Sequence, residues 1–421
     1  LPECQPFCAL YYNFKKVDQA KVFAPQYDIV SKEEIFFYKN LSPYNAFHLE
    51  LAETPELAEH LLEEWKREEI LLKDSTPAIY YYELYFTFSE RRLKRRGFIL
   101  LVKLHPYEDG KILPHERTFS FIKEERFSLL KTSQCYFSQI FGLYEDEELR
   151  TLNLPVEKEL LFDVEFNKER HVVYRVKDRG FIHSIREYLQ DKPIYIADGH
   201  HRYQTALAYK DHMEKTLGHK EDCDFHYAPF YLTPFEEEGL FMLPTHRHYL
   251  FSLEKTMLDS LRKYADELME FDLTKLEDVL EHYNGKSDVF FLVNQGKGKV
   301  FRIKRKVMFE FEKIEPILSR LPLFNFLKLF ERVFEQKEEE LKAQGMVEFF
   351  SNSLEKLGSK GANQGFFVLL PRVLPTVLKD VVSKGKLMPH KSTYFYPKIL
   401  TGVLFYEAKG KPIPKEFDLC P

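Results

Sequence analysis

The chain has 421 residues, 44% hydrophobic and 30% charged, a globular composition that excludes a largely disordered polypeptide and predicts two or three domains. Its 61 Lys and Arg against 66 Asp and Glu leave a formal charge of −5, which argues against a nucleic-acid coat. No window approaches the roughly 18–20 apolar residues of a membrane span.

Leu1 to Tyr12 lacks a basic segment followed by an apolar one, so no secretion signal is expected. The cysteines, Cys4, Cys8, Cys135, Cys223 and Cys420, are few and scattered, so no disulfide framework and a reducing cytoplasm are expected. Pro55 to Lys73 carries Leu57, Leu61, Leu62 and Trp65 at helical spacing. Ile79 to Phe86 and Phe98 to Leu104 read as strands, with Ser89 to Arg96 as a charged hairpin tip. Leu160 to Phe166 and His171 to Val176 form a second pair through Asn167 and Lys168. A helix over about 182–190 precedes a short strand, Ile194 to Ala197, and another helix follows Gly199. Asp288 to Val293 and Lys299 to Lys304 flank an Asn294-Gln295-Gly296 turn. Glu331 to Leu357 reads as helical, and Leu400 to Phe405 as a last strand. Strands and helices without regular alternation predict an α+β protein of mixed sheets.

The densest polar feature is Asp198-Gly199-His200-His201-Arg202, running from strand through a glycine turn into a helix. The first-turn N–H groups of a helix lack intrahelical partners and carry the positive end of its dipole, so such an end receives anions, phosphate above all. Asp198 would hold a divalent cation or orient a histidine. The plain alternative is an aspartate cap followed by surface histidines. The spacing is not that of a zinc site.

A second cluster, His115-Glu116-Arg117-Thr118 with Arg126 beyond it, pairs a carboxylate with a histidine, as a general base requires; a solvated charged loop is its ordinary reading. Thr245-His246-Arg247 and the segment 388–398, with Lys391, Ser392, Thr393 and Lys398, are polar where a core would be apolar and suit an anionic ligand. The chain has no GxxxxGK[ST] loop, no complete GxGxxG and no GxSxG elbow.

These segments resemble a widespread prokaryotic family long labelled a domain of unknown function: ADGHHRY at 197–203, HERTF at 115–119, PTHR at 244–247 and MPHKSTYFYPK at 388–398. APQYD at 24–28 is similar to its APPYD, with Gln26 for a proline. YFSQIF at 136–141, which contains Ser138, is similar to its NxSPIF, departing at Tyr136 and Gln139. The family in turn resembles the ParB/sulfiredoxin superfamily, whose phosphate turn precedes a helix. His200 stands where sulfiredoxins need a cysteine, and no helix-turn-helix of the ParB type is evident. The ordered pair His115-Glu116 and Asp198 to Arg202 is most similar to the superfamily's free L-serine kinases.

The resemblance implies a phosphate-binding α+β core over 1–219, and the polar motifs of 220–421 are read as a second α/β domain closing on the site. It implies transfer of a phosphoryl group to L-serine, with Glu116 as base, Asp198 on Mg²⁺, and His200 with Gly199, His201 and Arg202 around the phosphate. His115, Thr118, Arg126, Ser138, Thr245, His246, Arg247, Lys391, Ser392, Thr393 and Lys398 are further candidate contacts. ATP, ADP and pyrophosphate are open as donors. A nucleotide-binding module without turnover is the alternative. No nucleic acid or membrane partner is expected, and a homodimer is among the open assembly states.

Overall fold

A computed structural model describes residues 3–117, 123–218, 222–351, 356–357 and 364–414. It is α+β, with mixed sheets and helices in irregular order. The chain divides into two compact units, one of residues 1–114, 118–240 and 397–421, the other of 115–117 and 241–396.

The first unit is built on a nine-stranded sheet. Its strands are β1 (Cys4–Gln5), β2 (Ile79–Phe88), β3 (Arg91–Lys103), β4 (Ile112–Leu113), β5 (Ile140–Tyr144), β6 (Glu159–Phe166), β7 (Glu169–Val176), β8 (Ile194–Asp198) and β9 (Tyr227–Pro234). They lie in the order β4-β8-β5-β9-β3-β2-β7-β6, with β1 also paired to β3. The β4–β8 and β5–β9 pairs are parallel and the others antiparallel.

Both expected hairpins are present, but the first is tighter than its charge pattern predicts. The β2–β3 turn is only Ser89-Glu90, at φ 46° and 63°, and the β6–β7 turn is Asn167-Lys168, at 49° and 67°. Two successive positive φ values make the turn whose twist matches the flanking strands. The basic run 91–96 is therefore strand, not tip. Alternation exposes Arg92 and sends Arg95 inward, where it is fully buried. Its guanidinium lies 4.8 Å from the Phe141 ring and 5.4 Å from that of Tyr231, a cation–π arrangement that offsets part of the cost of burying charge.

Helix α1 (Pro55–Arg67) begins where Thr54 accepts the amide of Leu57 and Pro55 fills a first-turn position that needs no N–H. Its buried face is Ala58, Leu62 and Trp65, whereas Leu57 is exposed. Helices α2 (Glu124–Ser133), α3 (Arg179–Gln190) and α4 (His200–Leu217) complete the set used below. Near the carboxy end, 400–405 is not a strand: its backbone makes single bridges, Thr401 to Ala24 and Phe405 to Leu10. Among the described residues Cys8 is disulfide-bonded and Cys4, Cys135 and Cys223 are free and buried. The cysteine argument for a reducing compartment therefore lapses.

The second unit holds an antiparallel sheet of β10 (His246–Tyr249), β11 (Ala265–Asp272), β12 (Val289–Asn294), β13 (Lys297–Ile303), β14 (Val347–Phe350) and β15 (Phe366–Leu369), in the order β11-β13-β12-β15-β10-β14. One face packs on α5 (Lys255–Tyr264), α6 (Arg305–Ile314) and α7 (Pro322–Phe334) around Phe290, Phe301, Phe311, Phe326 and Phe330. Burying several phenylalanines on one face contributes about 1.5–3 kcal/mol for each. The stretch 331–357 is not continuous helix. It ends α7, forms the short α8 (Glu338–Ala343) and then enters β14, because Val347-Glu-Phe-Phe350 alternates and finds an open sheet edge.

Candidate functional site

Strand β8 is apolar and buried from Ile194 to Ala197, and its register with β5 shifts between Ile196 and Asp198. Ala197 is the extra residue of that bulge, and Asp198 returns to the ladder opposite Phe141 as the strand's last residue. Gly199 follows at φ 91° as the residue capping α4, and no side chain caps the helix. The aspartate-cap reading is thus excluded: the residue at the cap of this 18-residue helix is Gly199, which has no side chain to accept from the first turn. A side chain at 199 would be strained at that φ, and its Cβ would stand 3.1 Å from Arg202 Nε.

Asp198 is instead an ion-pair centre. Lys398 Nζ lies 3.1 Å from its Oδ2 and Arg202 Nη2 3.5 Å. Burial alone would raise its pKa, but Lys398 and Arg202 together hold it down at about 2. Lys398 is brought there by the anchored segment behind it, where Thr401 exchanges backbone hydrogen bonds with Ala24 and its hydroxyl donates to the Pro25 carbonyl. Arg202 folds back beneath Gly199. It donates to the Gln139 carbonyl and, at 3.2 Å, to Gln26 Oε1. Arg202 therefore braces the turn from inside. His200 is buried and His201 half-buried.

The segments 24–28 and 136–141 meet at the same place. Arg126 donates to the Glu50 carboxylate at 2.8 Å and to its carbonyl at 3.0 Å, and its guanidinium covers the Tyr27 ring at 4.5 Å. Ser138 is buried against Glu50.

The remaining candidates belong to the second unit. His115 is buried, with Nε2 2.9 Å from Thr393 Oγ1 and 3.6 Å from Glu116 Oε1. The Thr393 hydroxyl is 3.4 Å from the same carboxylate oxygen. The Met388 amide donates to the His115 carbonyl at 2.8 Å and Glu116 bridges to Met388, so 115–117 and 388–393 form one polar cluster. Ser392 donates to the Pro389 carbonyl, and Lys391 takes φ 54°.

Arg247 is fully buried, and its donors are committed to protein partners. It meets Glu338 Oε1 at 3.0 Å, the Lys391 carbonyl at 2.9 Å and the Thr245 carbonyl. It braces the 388–393 turn rather than presenting a free cation. Thr245 lends its carbonyl to that brace. His246 is buried with Nδ1 accepting the Leu370 amide at 3.1 Å. Burial, reinforced by Arg247, pushes its pKa down to about 3, so the ring is neutral. Thr118 lies outside the described residues.

Three residues of these clusters escaped the sequence reading: Glu50, Lys342 and Glu338. Lys342 Nζ sits 2.7 Å from His390 Nε2, and burial with the neighbouring Lys391 lowers the pKa of Lys342. None of the three lies in a motif; only a fold brings Glu50, in a helical turn at 47–50, to Arg126.

A glycine-started helix after a sheet strand, with an ion-paired aspartate at the junction, sits in an α+β protein of mixed sheets. The family model described as "Protein of unknown function (DUF1015)" matches residues 4–324, and the chain belongs to that family. No curated protein matches it. Among solved structures it is similar to a free serine kinase mutant in complex with ADP, at 12% identity over 70% of this chain and 87% of that one, TM-score 0.36. It is also similar to SbnI with a C-terminal truncation from Staphylococcus aureus, at 13% identity over 72% and 85%, TM-score 0.36. A conserved hypothetical protein from Pyrococcus furiosus gives 13% identity over 72% and 92%, TM-score 0.33.

Proposed function

We propose that this protein is a phosphotransferase that phosphorylates free L-serine to O-phospho-L-serine. The observation that carries the reading is the start of α4, where Gly199 opens the helix at φ 91° with no capping side chain and the cations Lys398 and Arg202 are held on Asp198. Oriented amides and fixed charge are what phosphoryl transfer asks of a protein, since its transition state is loose and needs positioning and charge neutralisation.

In this reading the α4 amides with His200 and His201 bind the transferred phosphoryl group, and Lys398 supplies positive charge beside it. Glu116, fixed by His115 and Thr393, accepts the proton of the serine hydroxyl. The serine oxygen bonds to the terminal phosphorus as the bond to the leaving group breaks; the leaving group is ADP from ATP, AMP from ADP, or phosphate from pyrophosphate. Arg202, Arg126 and Arg247 act as braces, while Ser138, Lys391, Ser392 and Thr393 are proposed substrate contacts.

Lys398 already occupies the cation position on Asp198 at 3.1 Å, and among the described residues no group of three or more His, Cys, Asp and Glu converges to hold a metal. Asp198 therefore does not fit as a protein cage for Mg²⁺, and no step is routed through one; donor phosphates are the oxygen ligands Mg²⁺ ordinarily keeps.

The test is Glu116→Gln assayed with each donor. Donor binding should survive while serine turnover falls. Equal turnover in wild type and variant would remove Glu116 from the mechanism, and binding without any turnover in wild type would favour a nucleotide-binding module.

A further inference from the structure

Beside the braced turn, within the first unit, lies a small cavity of about 50 Å³ lined among others by Tyr27, Glu50, Arg126, Tyr136, Ser138 and Arg202. Its volume suits one small polar group. Glu50 is 6% exposed. Arg126 satisfies one of its carboxylate oxygens at 2.8 Å, and the other, Oε2, is buried with no donor in hydrogen-bond geometry, the Ser138 hydroxyl standing beside the carboxylate. A buried carboxylate oxygen without a donor is costly, and such groups are kept where a ligand completes them.

We propose that this cavity receives the α-ammonium group of the acceptor amino acid, with Glu50 Oε2 as its hydrogen-bond acceptor and the Tyr27 and Tyr136 rings as its walls. The inference rests on the serine phosphotransferase reading and makes Glu50 its determinant of substrate class. An ammonium provides the donor that Oε2 lacks. Burial raises the pKa of Glu50 even with Arg126 and Arg202 nearby, so the site as built is short of positive charge. A hydroxy acid with a hydroxyl in place of the amine would bring a donor but no charge. Charge-assisted hydrogen bonds are about twice as strong as neutral ones, so the cavity discriminates amino acids from hydroxy acids.

The experiment is steady-state kinetics of wild type, Glu50→Gln and Ser138→Ala with L-serine and with L-glycerate, the same skeleton bearing a hydroxyl for the amine. Glu50→Gln should raise KM for L-serine about tenfold or more, retain most of kcat, leave the donor KM unchanged and lose the preference over glycerate. Ser138→Ala, which keeps the Glu50–Arg126 pair, should shift KM in the same direction by less, and it decides the matter if Glu50→Gln fails to fold.

An unchanged serine KM in folded variants, with wild type turning over, overturns the ammonium site and leaves the kinase reading standing. If wild type makes no phosphoserine, the kinase reading falls. Calorimetry then decides the cavity: L-serine bound by wild type but not by Glu50→Gln supports it, and L-serine bound by neither or by both overturns it.

Discussion

Both units hold a polar turn in place with an arginine, half-buried in the first and fully buried in the second, yet the two arginines leave different things behind. In the first, Arg202 spends its donors on Gln139 and Gln26 and stands 3.5 Å from an aspartate that Lys398 also pairs. The amides above it remain without a side-chain cap. In the second, Arg247 pairs with Glu338 and ties down the carbonyls of 245 and 391. A histidine–arginine string after an apolar strand therefore marks either the proposed anion turn or a strut. Which one depends on where the backbone donors point, not on the residue types.

The largest expected effect separates chemistry from bracing. Glu116→Ala should lower serine turnover by about 10²–10⁴-fold, the usual worth of a positioned base, with no shift in melting temperature. A matching loss of stability would make Glu116 part of the scaffold. Next, Glu338→Ala strands Arg247 without its carboxylate in a fully buried position, and should cost about 3–5 kcal/mol in urea denaturation. A change below about 1 kcal/mol would mean that the backbone carbonyls suffice as partners.

Lys398→Met should cost less, because the Asp198 side chain is 20% exposed and partial exposure screens the pair. The sign with pH is definite. Asp198 is held at about 2, below its unfolded value, so the stabilisation is present above about pH 4 and fades as pH falls toward 2. The urea midpoints of wild type and Lys398→Met should differ most above pH 4 and converge below it. Parallel curves across that range would break the comparison.

The smallest effect concerns His246, whose pKa is pushed down to about 3. Its neutral form stabilises the fold fully above the unfolded value of about 6.5, and that contribution is lost progressively as pH falls toward 3. Nitrogen NMR should find the ring neutral at pH 5 with Nδ1 accepting; a protonated ring there would contradict its place in the core.

The sequence made the α+β class legible because short aromatic and β-branched runs alternate with helical ones, and it placed the strand–Gly199–helix turn correctly. The local chemistry of positive φ was less legible: a two-residue turn at Ser89-Glu90 turned a charged tip into strand. Long-range pairing was invisible, as where 347–350 left a helical pattern to close a sheet edge. Among the candidate residues, types were readable but saturation was not. Nothing in Thr245-His246-Arg247 says that its cation meets Glu338, and nothing near Glu50 says that one carboxylate oxygen will be buried alone.

The central claim is phosphoryl transfer to a free amino acid. Phosphorus NMR of the protein with L-serine, Mg²⁺ and, in turn, ATP, ADP or pyrophosphate tests it most directly. The account predicts a new phosphomonoester resonance coincident with added O-phospho-L-serine, formed with at least one donor and absent with Glu116→Ala. Donor bound and unchanged in every mixture, with no such resonance, would contradict it.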